Sequence, residues 1–159
     1  MRHWKSGLVA LLLAVAGTAQ ATTAATAGVV VVTVKGEYDD VKERVVQAIE
    51  GRGLVINYTG QIAAMLERTG KDLGRVATVY SKAEVVEFCS ARLSRDSMEA
   101  DPRNIVFCPY SIAVYTLPKD MGKVYVAYRK PVAIGTGPSV KALRAIEKLL
   151  QDIVNDARK

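Results

Sequence analysis

The residues best equipped for chemistry in this 159-residue chain are its two cysteines, Cys89 and Cys108. Cys89 closes a β-forming run, Val85 to Cys89, and Ser90 behind it is a good helix N-cap, so the thiol is expected where a strand hands over to a helix. Unpaired amides at a helix start stabilise a thiolate, which points to nucleophilic or redox chemistry. Strand alternation, however, puts Glu87 on the face of Cys89, and a nearby carboxylate pushes a thiol pKa back up. Three fates are open to the pair. It can form a structural disulfide adding about 3 kcal/mol, act as a reactive or metal-binding pair, or remain as two separate inert thiols. The spacing departs from Cys-x-x-Cys, which disfavours a dedicated dithiol exchanger and excludes covalent c-type haem.

The other candidate groups are weaker. Two thiolates alone suit a soft ion such as Cu(I), whereas zinc needs further ligands; Met98 and Met121 read as filler. No metal site and no cofactor are therefore expected. Glu84 and Glu87, with Asp96, Glu99 and Asp101 nearby, include carboxylates for acid-base work, but Glu84 and Glu87 have opposite parity and face opposite ways. They read as solvated charges, Glu87 being the one to watch for burial. Gly135-Thr136-Gly137 ahead of a helix resembles an anion cradle, yet it lacks the third glycine and the lysine of a phosphate loop, and Pro138 removes an amide. Tyr110, Tyr115, Tyr125 and Tyr128 cluster on one hairpin, where they can pack in the core, line a ligand cavity or form an interface.

The only histidine, His3, lies in a segment with its own logic. Arg2 and Lys5 form a basic start, Leu8 to Gly17 an apolar run too short to span a bilayer, and Ala19-Gln20-Ala21 a cleavage pattern. Residues 1–21 are thus read as a signal peptide. A periplasmic or secreted protein of 138 residues would remain, without imidazole and with no second membrane segment. Its 20 basic and 16 acidic residues leave a formal charge of +4, down from +6. The cations are interleaved with acids, as in Lys42-Glu43-Arg44, so neither nucleic acid nor a membrane surface is an expected partner.

The elements that must position these groups follow from periodicity. Residues 22–28 read as a flexible lead-in and 29–159 as one domain. Val29 to Lys35 is a strand. Asp40 and Glu43 have the spacing of a capping box for a helix whose Val41, Val45 and Ile49 share one face until Gly51 and Gly53. Leu54 to Thr59 is a second strand, Gln61 to Thr69 a helix carrying Ile62, Met65 and Leu66, and Ala91 to Ala100 a further helix. Ile105 to Leu117 reads as one long or bent strand with Pro109 at an edge or bulge, paired through Pro118 to Gly122 with Lys123 to Tyr128. Gly137-Pro138 opens a closing helix with Val140, Leu143, Ile146, Leu150, Ile153 and Val154 on its inner face. The order predicts an α+β fold, a mainly antiparallel sheet with helices packed on one face.

Several of these pieces, in order, carry a resemblance. Tyr38-Asp39-Asp40-Val41, Gly70-Lys71-Asp72-Leu73-Gly74, Phe88-Cys89, Asp101-Pro102-Arg103 and Cys108-Pro109 before Ile112 to Tyr115 resemble the domain-of-unknown-function family DUF302. The resemblance implies a fold similar to the TATA-binding-protein-like β-α-β(4)-α arrangement, a homodimer, and no established activity. In this chain Cys89-Ser90-Ala91 replaces the family's usual Cys-Asn-Pro, and the second cysteine precedes the proline. Two function classes result. The first is a non-catalytic binding or accessory domain holding a small apolar ligand or a partner between sheet and helices, with Cys89, Cys108, Glu87, Tyr110 and Tyr115 as binding candidates. The second is a thiol protein for disulfide exchange, sulfur transfer or soft-metal binding through Cys89 and Cys108.

Overall fold

A computed structural model describes residues 23–26, 28–132 and 135–159. The first 22 residues, and with them the signal-peptide reading and His3, lie outside the described residues. Six strands form one antiparallel sheet in the order β1-β2-β6-β5-β4-β3: β1 Thr23–Thr26, β2 Val29–Lys35, β3 Val55–Gln61, β4 Lys82–Cys89, β5 Tyr110–Thr116 and β6 Lys123–Arg129. Helices α1 Tyr38–Glu50, α2 Ile62–Asp72, α3 Ala91–Ala100 and α4 Gly137–Ala157 complete an α+β fold with helices packed on one face of the sheet. From β2 onward it is one strand, one helix, four strands and a final helix, with α2 and α3 inserted among the four.

Alternation decides which side chains meet the helices. Val32 and Val34, Val86 and Phe88, Tyr110, Ile112 and Val114, and Val124, Val126 and Tyr128 all point to one face and are buried. Against them lie Val41, Val45 and Ile49 of α1, Leu93 of α3, and Leu143, Ile146, Leu150, Ile153 and Val154 of α4. The layer between sheet and helices is filled by these branched and aromatic groups. The opposite face carries Val31, Val85, Ala113, Tyr115 and Tyr125, all half-buried, with Ala83 and Ala127 buried between them.

Four local readings change. Thr23–Thr26 belongs to the fold: it pairs with β2 in the register Thr23↔Val32 to Thr26↔Val29, and Gly28, at φ +83, permits the reversal between them. Helix α1 begins at Tyr38 behind Glu37, ahead of the Asp40 capping box, and Glu37 makes no side-chain cap. Helix α2 runs through Gly70 to Asp72 and buries none of its residues. The long strand from Ile105 does not form. Instead Pro102–Phe107 winds into a short 3-10 helix, started by Asp101, whose carboxylate accepts from Arg103 N at 3.0 Å. Asn104 anchors it by donating from Nδ2 to Ser97 O and Ser139 Oγ, both at 2.8 Å. β5 then starts after Pro109 and lies centrally, between β6 and β4, so the proline is kept out of the ladder rather than accommodated at an edge.

Candidate functional site

The thiols meet at one corner of the sheet. β4 ends on Cys89, the 3-10 helix ends against Cys108, and the two Sγ atoms are 3.0 Å apart as free thiols. A bulge in β3 between Ile56 and Tyr58 frees Asn57, whose side chain reaches the Cys89 sulfur. Ser94 Oγ lies 3.8 Å from Cys108 Sγ and 3.0 Å from the Tyr110 hydroxyl, tying the corner to α3. Burial is the largest influence on Cys89, followed by its contact with Cys108; together they push the thiol up to about 11, against which Asn57 pulls weakly. The expected help from a helix start is diverted, because Ser90 caps α3 with its own hydroxyl, accepting from Leu93 N at 3.4 Å. Reduced Cys89 is therefore held as a thiol.

The five sequence candidates divide. Glu87, Cys108 and Tyr110 border a hollow of about 180 Å³, smaller than the roughly 300 Å³ at which ligand pockets begin. Tyr110 is buried on the helix side, its ring edge-on to Phe88, with its hydroxyl pKa raised by burial. Tyr115 faces the other way, stacked on Tyr125 at 5.1 Å and edge-on to Tyr80 at 5.4 Å. Tyr125 is held in turn by its hydroxyl's bond to Asp120 at 2.7 Å. The tyrosines of the hairpin thus serve two faces and do not line one cavity. Gly135, from the suspected anion cradle, packs so closely on the Asp101 carboxylate that a Cβ there would come within 2.5 Å of its oxygen. A carboxylate in that position opposes an anion. Among the described residues no group of three or more His, Cys, Asp or Glu is placed to hold a metal, and no described helix is long and apolar enough to cross a membrane.

A larger cleft, about 730 Å³, opens between α2, the segment 73–81 and the start of β4. Its volume falls in the range of small-molecule sites. Ala63, Ala64 and Leu66 of α2 form one wall, and Leu73, Val76 and Val79 form a rim that is 69%, 92% and 54% exposed. Exposed apolar groups are thus concentrated around a concavity. The floor is polar. Glu84 is almost buried, and its Oε2 pairs with the Lys42 ammonium at 2.6 Å. Lys82 Nζ bonds Asp39 Oδ2 at 2.7 Å and lies 5.1 Å over the Tyr38 ring. The Tyr38 hydroxyl is buried beside Glu84, and burial first, then the Glu84 and Asp39 charges, drives its pKa far above the ordinary phenol value.

Glu84 and Glu87 are both half-buried, on opposite faces of β4, and the Glu84 side chain is 13% exposed. One signal for that placement was present in the sequence, since Glu84 shares strand parity with Val86 and Phe88 and so had to project to the core side. The cleft itself had no such signal. It exists because α2 leans on β4 without fully burying any residue, a property of tertiary placement.

Comparison with known proteins fits this architecture. A solved structure titled as an uncharacterized conserved protein DUF302 from Bacillus stearothermophilus superposes with a TM-score of 0.69 at 16% identity, covering 84% of this chain and all of that one. At that identity the likeness concerns the fold. No curated protein matches the chain. The model of the family described as domain of unknown function DUF302 matches residues 30–157, which span β2 to the end of α4, and the chain belongs to that family.

Proposed function

We propose that this protein is an exported, non-catalytic binding domain that works as a homodimer and holds a small apolar ligand in the cleft beneath α2. The observation that carries the reading is the cleft itself: about 730 Å³, walled by the apolar side of a helix that buries no residue, and rimmed by exposed Leu73, Val76 and Val79. An amphipathic helix that packs only partly on β4 gains by covering a ligand. Export is supported by the leader pattern of residues 1–21. The dimer partner is a second copy through the sheet face of Val31, Val85, Ala113 and Tyr115. That face is apolar at its centre, with Lys35, Lys123 and Arg129 at its margins, which suits an isologous contact.

The thiol-chemistry alternative is weakened by one observation. A thiol pushed up to about 11 is almost wholly protonated at neutral pH, so Cys89 is a poor nucleophile and ligand in the reduced state. The 3.0 Å approach of the two sulfurs instead favours a structural pair that bridges on oxidation. Thermal melting in the presence of neutral apolar small molecules tests the binding function. Wild type is stabilised by those that bind, and Ala63→Trp, which fills the α2 wall, is not. Equal responses of the two proteins would place binding outside the cleft.

A further inference from the structure

The side-chain pattern on the helix-free face of the sheet specifies how a second copy would lie on it. Resting on the dimer proposed above, we infer that the two sheets meet face to face about a two-fold axis running along β5, so that Glu87 of each protomer pairs with Arg129 of the other.

Strand register sets the side chains of this face in rows across the sheet. One row is apolar: Val31, Ala127, Ala113, Val85 and Gly60, on β2, β6, β5, β4 and β3 in turn. Two residues further along each strand lies a second row, in which Val29 is opposite Arg129 and Glu87 has Ser111 on one side and Tyr58 on the other. Continuing the pairing Ile112↔Tyr128 by one residue sets Ser111 beside Arg129. Glu87 and Arg129 are therefore two strands, roughly 10 Å, apart. Among the described residues neither belongs to an ion pair. A half-turn about an axis along β5 keeps each residue's height along the strands while exchanging β4 with β6 and β3 with β2. Glu87 then faces the partner's Arg129, and symmetry makes the pair twice. Along the apolar row Val85 faces Ala127, Val31 faces Gly60 and Ala113 faces itself, so large groups meet small ones. Tyr58 and Val29, 62% and 42% exposed in the single chain, cover one another at the edge. Half-turns across the strands fit less well. An axis along the Ser111 row sets Glu87 on Glu87 and Arg129 on Arg129, while one along the Ala113 row sets Glu87 on Ala83 and Arg129 on Tyr125, desolvating each charge without a counter-charge.

Sedimentation equilibrium of the mature protein and three charge variants provides the test. Glu87→Arg and Arg129→Glu each set like charges opposite one another at two symmetry-related points, so each should raise the dimer dissociation constant at least about tenfold. Combining the two substitutions restores both pairs with their signs exchanged, and the double variant should return to within about threefold of wild type. Recovery in the double variant, with unchanged far-ultraviolet circular dichroism in the singles, separates lost pairing from a folding defect. A dimeric wild type indifferent to both single changes, or weakened by them with no recovery in the double, would overturn this arrangement and leave the dimer itself standing. A wild type that is monomeric at every accessible concentration would overturn the dimer reading and the arrangement together.

Discussion

Oxidising the Cys89–Cys108 pair should stabilise the protein, and the size of the effect follows from where the chain is closed. The bridge would span a sequence separation of 19, for which loop-closure entropy predicts about 3 kcal/mol. Little rearrangement is required, because the sulfurs already approach to 3.0 Å across elements fixed by the β4–β5 pairing, in which Phe88 lies opposite Tyr110. Urea denaturation of oxidised wild type, reduced wild type and Cys89→Ser should place the latter two about 2 to 4 kcal/mol below the first. The reduced form has a pH signature of its own. Its Cys89 pKa is raised from 9.0 to about 11, so the neutral thiol is favoured by folding; that contribution is complete below about pH 9 and disappears as pH rises through about 11. At neutral pH alkylation of reduced Cys89 should run roughly a hundredfold slower than that of an unperturbed thiol. Fast alkylation at pH 7 with an apparent pKa below about 8.5, and a Cys89→Ser variant as stable as the oxidised protein, would refute the reasoning and return the pair to thiol chemistry.

Two further outcomes bear on the rest of the structure. Asn104→Ala removes the two bonds that fasten the 3-10 helix to α3 and α4 and leaves the Ser139 hydroxyl buried without its partner, so chemical denaturation should show a loss of about 2 kcal/mol; a change under about 0.5 kcal/mol would mean the anchor is redundant. Ala113→Arg sets a charge at the centre of the proposed dimer face, and light scattering should find the wild type dimeric and the variant monomeric; a monomeric wild type at high concentration would leave that sheet face to another role.

Where local pattern and tertiary environment agree, the sequence is readable. Val41, Val45 and Ile49 repeat at helical spacing and are all fully buried, and Leu143 to Val154 do the same along α4. Val29–Lys35 and Ala91–Ala100 match their predicted bounds residue for residue, the second because Ser90 supplies a real cap. The failures have physical causes. Ile105, Val106 and Phe107 are β-formers, but Asp101-Pro102 starts a helical turn and Asn104 is held by two distant serines, and that wins. Thr23–Thr26 lacks apolar alternation because it needs only backbone pairing with β2. At the thiol corner the meeting of Cys89 with Cys108 was common to two of three open fates, and no spacing rule could select it. The cleft depended on Tyr38, Glu84 and α2, three pieces far apart in the chain, being brought to one end of β4.

Native mass spectrometry of the protein purified from the compartment to which the proposed export would deliver it tests the binding claim most directly, because it weighs the folded chain together with whatever it retains. The account predicts a noncovalent adduct of small-molecule mass on wild type, released on collisional activation and missing from Ala63→Trp. An adduct of equal abundance on both proteins, or a ligand-free wild type that also fails to respond to added apolar compounds, would contradict it.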